Sequence, residues 1–237
     1  MDYAGAVEAA PPGWRHFEVA DLDRLPRAVR RRALTMIPPD ELELVRDRDP
    51  EAEERARRAL FWTFVYHLEP KKWERLASVE PIHPEALAAI PSARRALDIG
   101  AGGGRLTTHL VTRCDRVAAI EPSLGLASIL KSKLPTAITA AGWAEALPIG
   151  DGWSDLTAAC GALAPEQAIL DEMRRVTSVG GLMLLISPER PEEYERLGWT
   201  RISLDPIQAP EHERWIDEFF GPPDPPHELV MSRRVEI

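Results

Sequence analysis

Asp98 stands two residues ahead of a glycine run, Gly100, Gly102, Gly103 and Gly104, and Glu121 closes the next apolar run. A carboxylate ahead of such a turn can hold an ammonium group or cap the turn itself. Glycines there let the chain bend sharply and admit a ligand to the backbone without a Cβ in the way. A carboxylate placed like Glu121 has enough acceptor sites for both hydroxyls of a ribose; the plainer reading is an exposed strand end. Together these residue types describe a site for a nucleoside-bearing ligand. A nicotinamide or flavin dinucleotide competes for that role, and its fingerprint spaces glycines as G-x-G-x-x-G. Counted from Gly100, the third glycine falls at position 105, which is Arg105.

Residues so placed need strands that end along one edge of a sheet. The apolar, β-branched runs predict strands over 95–99, 116–120, 136–140, 154–160, 181–187, 199–204 and 228–233. Helical patterns lie between them at 104–112, 123–131, 166–176 and 191–197. Alternating strands and helices of this kind predict an α/β fold with a mostly parallel sheet and helices on both faces. In such sheets ligands sit beyond the carboxyl ends of the strands, where the strand order reverses. The division expected is 1–90 as tail and helical cap, and 91–237 as the ligand-binding domain. Within the first part, the start reads as a loose tail, 24–36 as a short helix, and 51–68 as one helix with an acidic first turn. That helix carries Leu60, Phe64 and Leu68 on one face, with Phe61, Val65, Trp62 and Tyr66 beside them. A helix apolar over so much of its girth is covered on more than one side, by a core or by a core and a pocket.

Bulk properties narrow the partners. The chain has 237 residues, 44% of them hydrophobic, and a formal net charge of -9. A nucleic-acid partner usually needs a basic face, and the group Arg27, Arg30, Arg31 and Arg32 reads more simply as a solvated helix face. Cys114 and Cys160 lack neighbours at metal-ligand or redox spacing, which suits a reduced, cytoplasmic setting. No signal-peptide pattern is visible, and no apolar run approaches the roughly eighteen residues of a membrane span.

The stretch Leu97-Asp98-Ile99-Gly100-Ala101-Gly102-Gly103-Gly104 closely resembles the first motif of class I S-adenosylmethionine-dependent methyltransferases. Ile120-Glu121-Pro122-Ser123 resembles their second acidic motif, and Gly142-Trp143-Ala144-Glu145-Ala146-Leu147-Pro148 is similar to their adenine loop. Asp155-Leu156 opens a strand as their fourth strand does, and Glu172-Met173-Arg174-Arg175-Val176 with Gly180-Gly181 resembles the helix and turn before their fifth. The resemblance implies a Rossmann-like seven-stranded sheet whose last strand is antiparallel, with an N-terminal helical cap. It implies S-adenosylmethionine as cofactor and S-adenosylhomocysteine as product. Asp98 would hold the ammonium, the backbone of Gly100, Ala101 and Gly102 the methionine portion, Glu121 the ribose, and Trp143 with Ala144 the adenine.

Two places depart from the family pattern. An acid usually stands where this chain has Trp143, whose indole only donates; Trp143 either edges the adenine or packs in the core. Cys160-Gly161-Ala162-Leu163-Ala164-Pro165 has no acid, histidine or tyrosine, and lacks the Asn/Asp-Pro-Pro-Tyr/Phe tetrad of amino-group methylases. Cys160 has nothing basic beside it in sequence and reads as a small strand-end residue. Methyl transfer is an in-line displacement that depends on alignment, and a base is needed only if the acceptor must lose a proton. Tyr66, His67 and His83 are weak candidates for lining the pocket or acting as base, while His109 and His227 read as structural or surface. Trp215, Phe219 and Phe220 either cap an apolar acceptor or pack on an outer helix. The expectation is an enzyme acting on a small organic molecule. The alternatives are a cofactor-binding regulatory protein, or an RNA or protein methylase.

Overall fold

The computed structural model describes residues 2–207, 211–221 and 229–236. In chain order its helices are α1 (Tyr3–Glu8), α2 (Arg27–Met36), α3 (Pro39–Arg46), α4 (Pro50–Ala59), α5 (Phe61–Leu68), α6 (Pro70–Val79), α7 (Pro84–Ala88), α8 (Thr107–Leu110), α9 (Leu124–Lys133), α10 (Gln167–Val176), α11 (Pro191–Arg196) and α12 (Arg214–Phe220). The strands are β1 (Ala93–Ile99), β2 (Cys114–Ile120), β3 (Ile138–Ala140), β4 (Ser154–Cys160), β5 (Thr177–Ile186), β6 (Thr200–Ser203) and β7 (Leu229–Arg234). The chain forms two compact units, residues 1–76 with 211–224, and residues 77–210 with 225–237.

The second unit is an α/β sandwich around a seven-stranded sheet of order β3-β2-β1-β4-β5-β7-β6. β1 to β5 run parallel, and β7 lies antiparallel to both β5 and β6. This is the Rossmann-like sheet the sequence predicts. Alternation along the strands separates two apolar layers. Leu97, Ile99, Ala159 and Leu185 face one layer, which α10 covers with Ile169, Leu170, Met173 and Val176. Ala96, Ala158, Leu184 and Ile186 face the other, with Leu106, Leu110 and Ala86. Each large aliphatic side chain so buried contributes about 1.5–3 kcal/mol.

The first unit is helical and better ordered than the loose tail expected. Trp14 and Phe17 are buried. Phe17 stacks on Phe64, and the guanidinium of Arg57 lies over the Trp14 ring. The single helix expected over 51–68 is two, α4 and α5. Leu60 joins them with φ -93 and ψ 3, and Leu60, Phe61, Phe64 and Val65 are all buried beyond that offset.

Other boundaries differ too, most notably at α8 and β5. The helix expected from 104 is confined to Thr107–Leu110, because Gly102 and Gly104 take positive φ and keep the preceding residues in turns. β5 begins at Thr177 rather than 181. It passes Gly180 at φ 77 and pairs with β4 across a register shift between Ser154 and Leu156. The strand expected over 228–233 is β7, although Glu228 lies outside the described residues, as does His227.

Candidate cofactor-binding site

β1 sits between β2 and β4, so the chain order reverses at its carboxyl end. Asp98 pairs in register with Ala119 of β2 and Ala158 of β4. Because β1 to β4 are parallel, the glycine turn, Glu121, the 141–151 loop and the 161–166 loop all leave the same edge. Sequence spacing alone does not ensure this; the sheet topology does.

The turn and the end of β2 are bonded into one unit. The Gly100 and Ala101 amides both donate to the Ile120 carbonyl, at 2.9 and 3.1 Å. Gly100 has φ 68, and a Cβ on it would lie 3.1 Å from the Cβ of Ala162. Glycine is thus required there by conformation, and any side chain would also crowd the loop after β4. The Gly102 amide donates to Glu121 Oε2 at 2.9 Å, and the Ser123 amide to Oε1 at 2.7 Å. Glu121 is buried, and burial pushes its carboxyl above the usual range while the two amide bonds oppose that shift. Each of its oxygens accepts one amide and keeps a further lone pair. Two adjacent acceptors with capacity left over match a vicinal diol.

Asp98 is buried, 1% exposed. Thr107 donates its hydroxyl to Asp98 Oδ2 at 2.6 Å. Among the described residues no cation lies within ion-pair distance of this carboxylate. Burial pushes its pKa from 3.8 to about 7; Thr107 opposes the rise, the charge of Glu121 adds to it, and Arg105 further opposes it. A buried carboxylate in that condition favours a ligand that brings positive charge. Arg105 itself donates to Glu80 Oε2 at 3.0 Å and points another nitrogen at Cys160 Sγ, 3.8 Å away. Burial pushes the Cys160 thiol up to about 11, while the neighbouring Arg105 opposes that shift.

The 141–151 loop is pinned at both ends. Gly142 packs so closely that a Cβ would lie 2.9 Å from Ile120 Cγ2 and from Pro148 Cδ. Trp143 is half-buried, and its carbonyl accepts from the Ala146 amide at 3.1 Å. Ala144 packs against the core layer that holds Leu147. Glu172 and Arg175 of α10 then clamp the far end. The Leu147 amide donates to Glu172 Oε2 at 2.7 Å, and Arg175 donates to the Ile149 and Leu147 carbonyls at 2.8 and 3.1 Å. Arg175 also pairs with Glu172 at 2.6 Å and with Asp151 at 2.7 Å.

Residues 97–185 match the family model described as a methyltransferase domain. Over that stretch the chain is similar to methyltransferase domains. Over 123 residues it is 38% identical to an uncharacterized methyltransferase of Mycobacterium tuberculosis, covering 50% of this chain and 49% of that protein. The chain therefore spans about half the length of that relative. An uncharacterized methyltransferase of Synechocystis is 29% identical over 155 residues, 60% of this chain and 72% of its own length. A solved structure of a putative S-adenosyl-L-methionine-dependent methyltransferase from Methanococcus maripaludis shares the fold. Its TM-score is 0.50 at 14% identity, over 71% of this chain and 91% of that one.

The matched range holds every residue expected to contact the cofactor, and the α/β unit brings Asp98, Gly100, Ala101, Gly102 and Glu121 together. Trp143 and Ala144 follow β3, whose Ala140 carbonyl accepts the Glu121 amide at 3.1 Å. His83 also belongs to this unit, but both of its ring nitrogens are engaged. Nδ1 accepts the Glu85 amide at 3.1 Å, which caps α7, and Nε2 then donates to the Asp205 carbonyl at 2.8 Å. Tyr66 and His67 lie on α5 of the helical unit; burial pushes the His67 imidazole below its usual pKa. Phe219 and Phe220 lie on α12 of that unit, near Phe61, and Phe220 stacks on Trp62. Sequence reasoning gave no role to Thr107, Ser123, Glu172 or Arg175. Nothing marks Thr107 out among the polar residues around α8, whereas a Glu and Arg three apart on α10 were a signal for the clamp. Among the described residues no group of three or more His, Cys, Asp or Glu side chains could hold a metal ion.

Proposed function

We propose that the methyltransferase domain binds S-adenosylmethionine and transfers its methyl group to a small organic acceptor, releasing S-adenosylhomocysteine. Glu121 carries this reading: it is buried and pre-oriented by two amides, and one lone pair per oxygen remains for the two ribose hydroxyls. Asp98 would take the ammonium, a role supported by its burial without a cation. Gly100 and Ala101 leave room for the methionine portion, while the Gly102 amide serves Glu121. Trp143 and Ala144 would border the adenine, on a loop whose position α10 controls.

When bound, the cofactor supplies an electrophilic methyl group on a sulfonium. The residues orient it and exclude water, and these effects carry most of such a displacement. No residue is assigned as a base. His83 has a structural use for each nitrogen, and burial pushes the Cys160 thiol up to about 11. A small acceptor is favoured over nucleic acid by the net charge of -9, and over amino-group methylation of DNA by the sequence after β4. The test is release of S-adenosylhomocysteine from S-adenosylmethionine in the presence of phenols, amines, carboxylic acids and thiols, tested separately. Turnover with at least one class, absent in Asp98→Ala, supports the reading. Cofactor binding without turnover across all classes, and with an RNA or protein acceptor instead, would overturn the small-molecule assignment.

A further inference from the structure

The arginine group of α2 has no part in the methyltransferase site, and it lies wholly in the helical unit. Arg27, Arg31 and Leu34 follow one another at helical spacing along one face, with Arg30 beside them. Leu42 and Arg46, four apart on α3, face the same groove. These six residues line a cavity of about 520 Å³. An adjoining cavity of about 390 Å³ shares Arg30, Leu34, Leu42 and Arg46, and extends over Leu22 and Val45.

Charge is distributed unevenly along this groove. In the adjoining part Arg30 pairs with Asp23 at 2.8 Å and Arg48 approaches Glu53 at 4.0 Å. Arg27, Arg31 and Arg46 have no carboxylate partner among the described residues. That is unexpected in a chain with 38 acidic residues against 29 basic ones. An unneutralised basic mouth leading to leucine and valine side chains is complementary to an anion with an apolar body. Guanidinium groups suit phosphate and carboxylate through paired N–H donors. The volume lies in the range of small-molecule clefts, and the apolar depth would be wasted on a polyanion that contacts only the surface.

We infer that the groove between α2 and α3 binds a small amphiphilic anion, with a phosphate or carboxylate head at Arg27, Arg31 and Arg46 and an apolar tail over Leu34 and Leu42. Free metabolites and lipid head regions both offer this chemistry, and the groove as argued takes the free, monomeric form. The test is calorimetry on the full chain with hexyl phosphate, inorganic phosphate and hexanol. Parallel titrations use phosphatidylglycerol vesicles and a single-stranded RNA oligomer. Hexyl phosphate is expected to bind one to one, at least about tenfold more tightly than inorganic phosphate or hexanol. The double variant Arg31→Ala with Arg46→Ala is expected to lose about tenfold or more, while Arg196→Ala on the other unit binds as the wild type does. Arg27, Arg31 and Arg46 are all exposed, and thermal melting verifies that the variants fold. Three results would overturn the proposal: equal affinity for inorganic and hexyl phosphate, no effect of the double variant, or binding only to vesicles or to RNA.

Discussion

At the scale of single residues, two carboxylates carry the account, and they differ in how they are held. Glu121 is fixed by two amides, whereas Asp98 has Thr107 and no cation. An Asp whose pKa rises from 3.8 to about 7 on folding holds its proton more readily folded than unfolded. Folding stability therefore falls as pH rises through that window, and Asp98→Asn removes this part of the slope. Denaturant titrations of the cofactor-free protein across the window should show the wild type losing stability toward neutral pH and Asp98→Asn losing less. An identical slope in both would mean that Asp98 ionises freely. These acids were legible in the sequence because their chemistry shows in residue type and spacing. Thr107 and Ser123 were not: their contributions are a hydroxyl and an amide whose directions depend on the turn. His83 illustrates the converse, since a histidine near the first strand invites a catalytic reading and the fold gives each of its nitrogens a structural use.

At the scale of elements, the 141–151 loop and α10 behave as one piece. Arg175→Met would leave the Leu147 and Ile149 carbonyls without that donor and Glu172 without its partner, at a cost of about 1–3 kcal/mol. Hydrogen exchange should quicken at 147–151, and affinity for S-adenosylhomocysteine should fall while the Glu121 region keeps its protection. Arg175→Lys should recover only part, because an ammonium cannot span two carbonyls and a carboxylate as the guanidinium does. Gly142→Ala tests the other end of the loop. Its Cβ would press on Ile120 and Pro148, and such overpacking costs about 1–3 kcal/mol; an unchanged melting temperature would contradict that close approach. The β-strand centres followed from periodicity, and the antiparallel last strand from the family resemblance; the strand order came from the fold. The failures lay at junctions. The break at Leu60 has no Gly or Pro to announce it, and the shortened α8 depends on positive φ at Gly102 and Gly104.

At the scale of the molecule, the chain joins an α/β unit to a helical unit completed by α12 from late in the sequence. That completion was hidden from a linear reading, because Phe219 and Phe220 find Phe17, Phe61 and Trp62 across long sequence separations. Among the described residues no helix is long and apolar enough to cross a membrane. A ligand that binds only the folded state stabilises it by mass action, about 2.7 kcal/mol at a hundred times its dissociation constant. The unfolding of the α/β unit should accordingly rise by roughly 5–10 °C with S-adenosylhomocysteine at that excess. The most direct test of the central claim is calorimetric titration of S-adenosylhomocysteine into the wild type, Glu121→Gln and Glu121→Ala. One-to-one binding to the wild type is expected, weakened in Glu121→Gln and weakened about a hundredfold or more in Glu121→Ala. Absence of binding to the wild type at millimolar-scale ligand, or equal affinity in all three folded proteins, would contradict it.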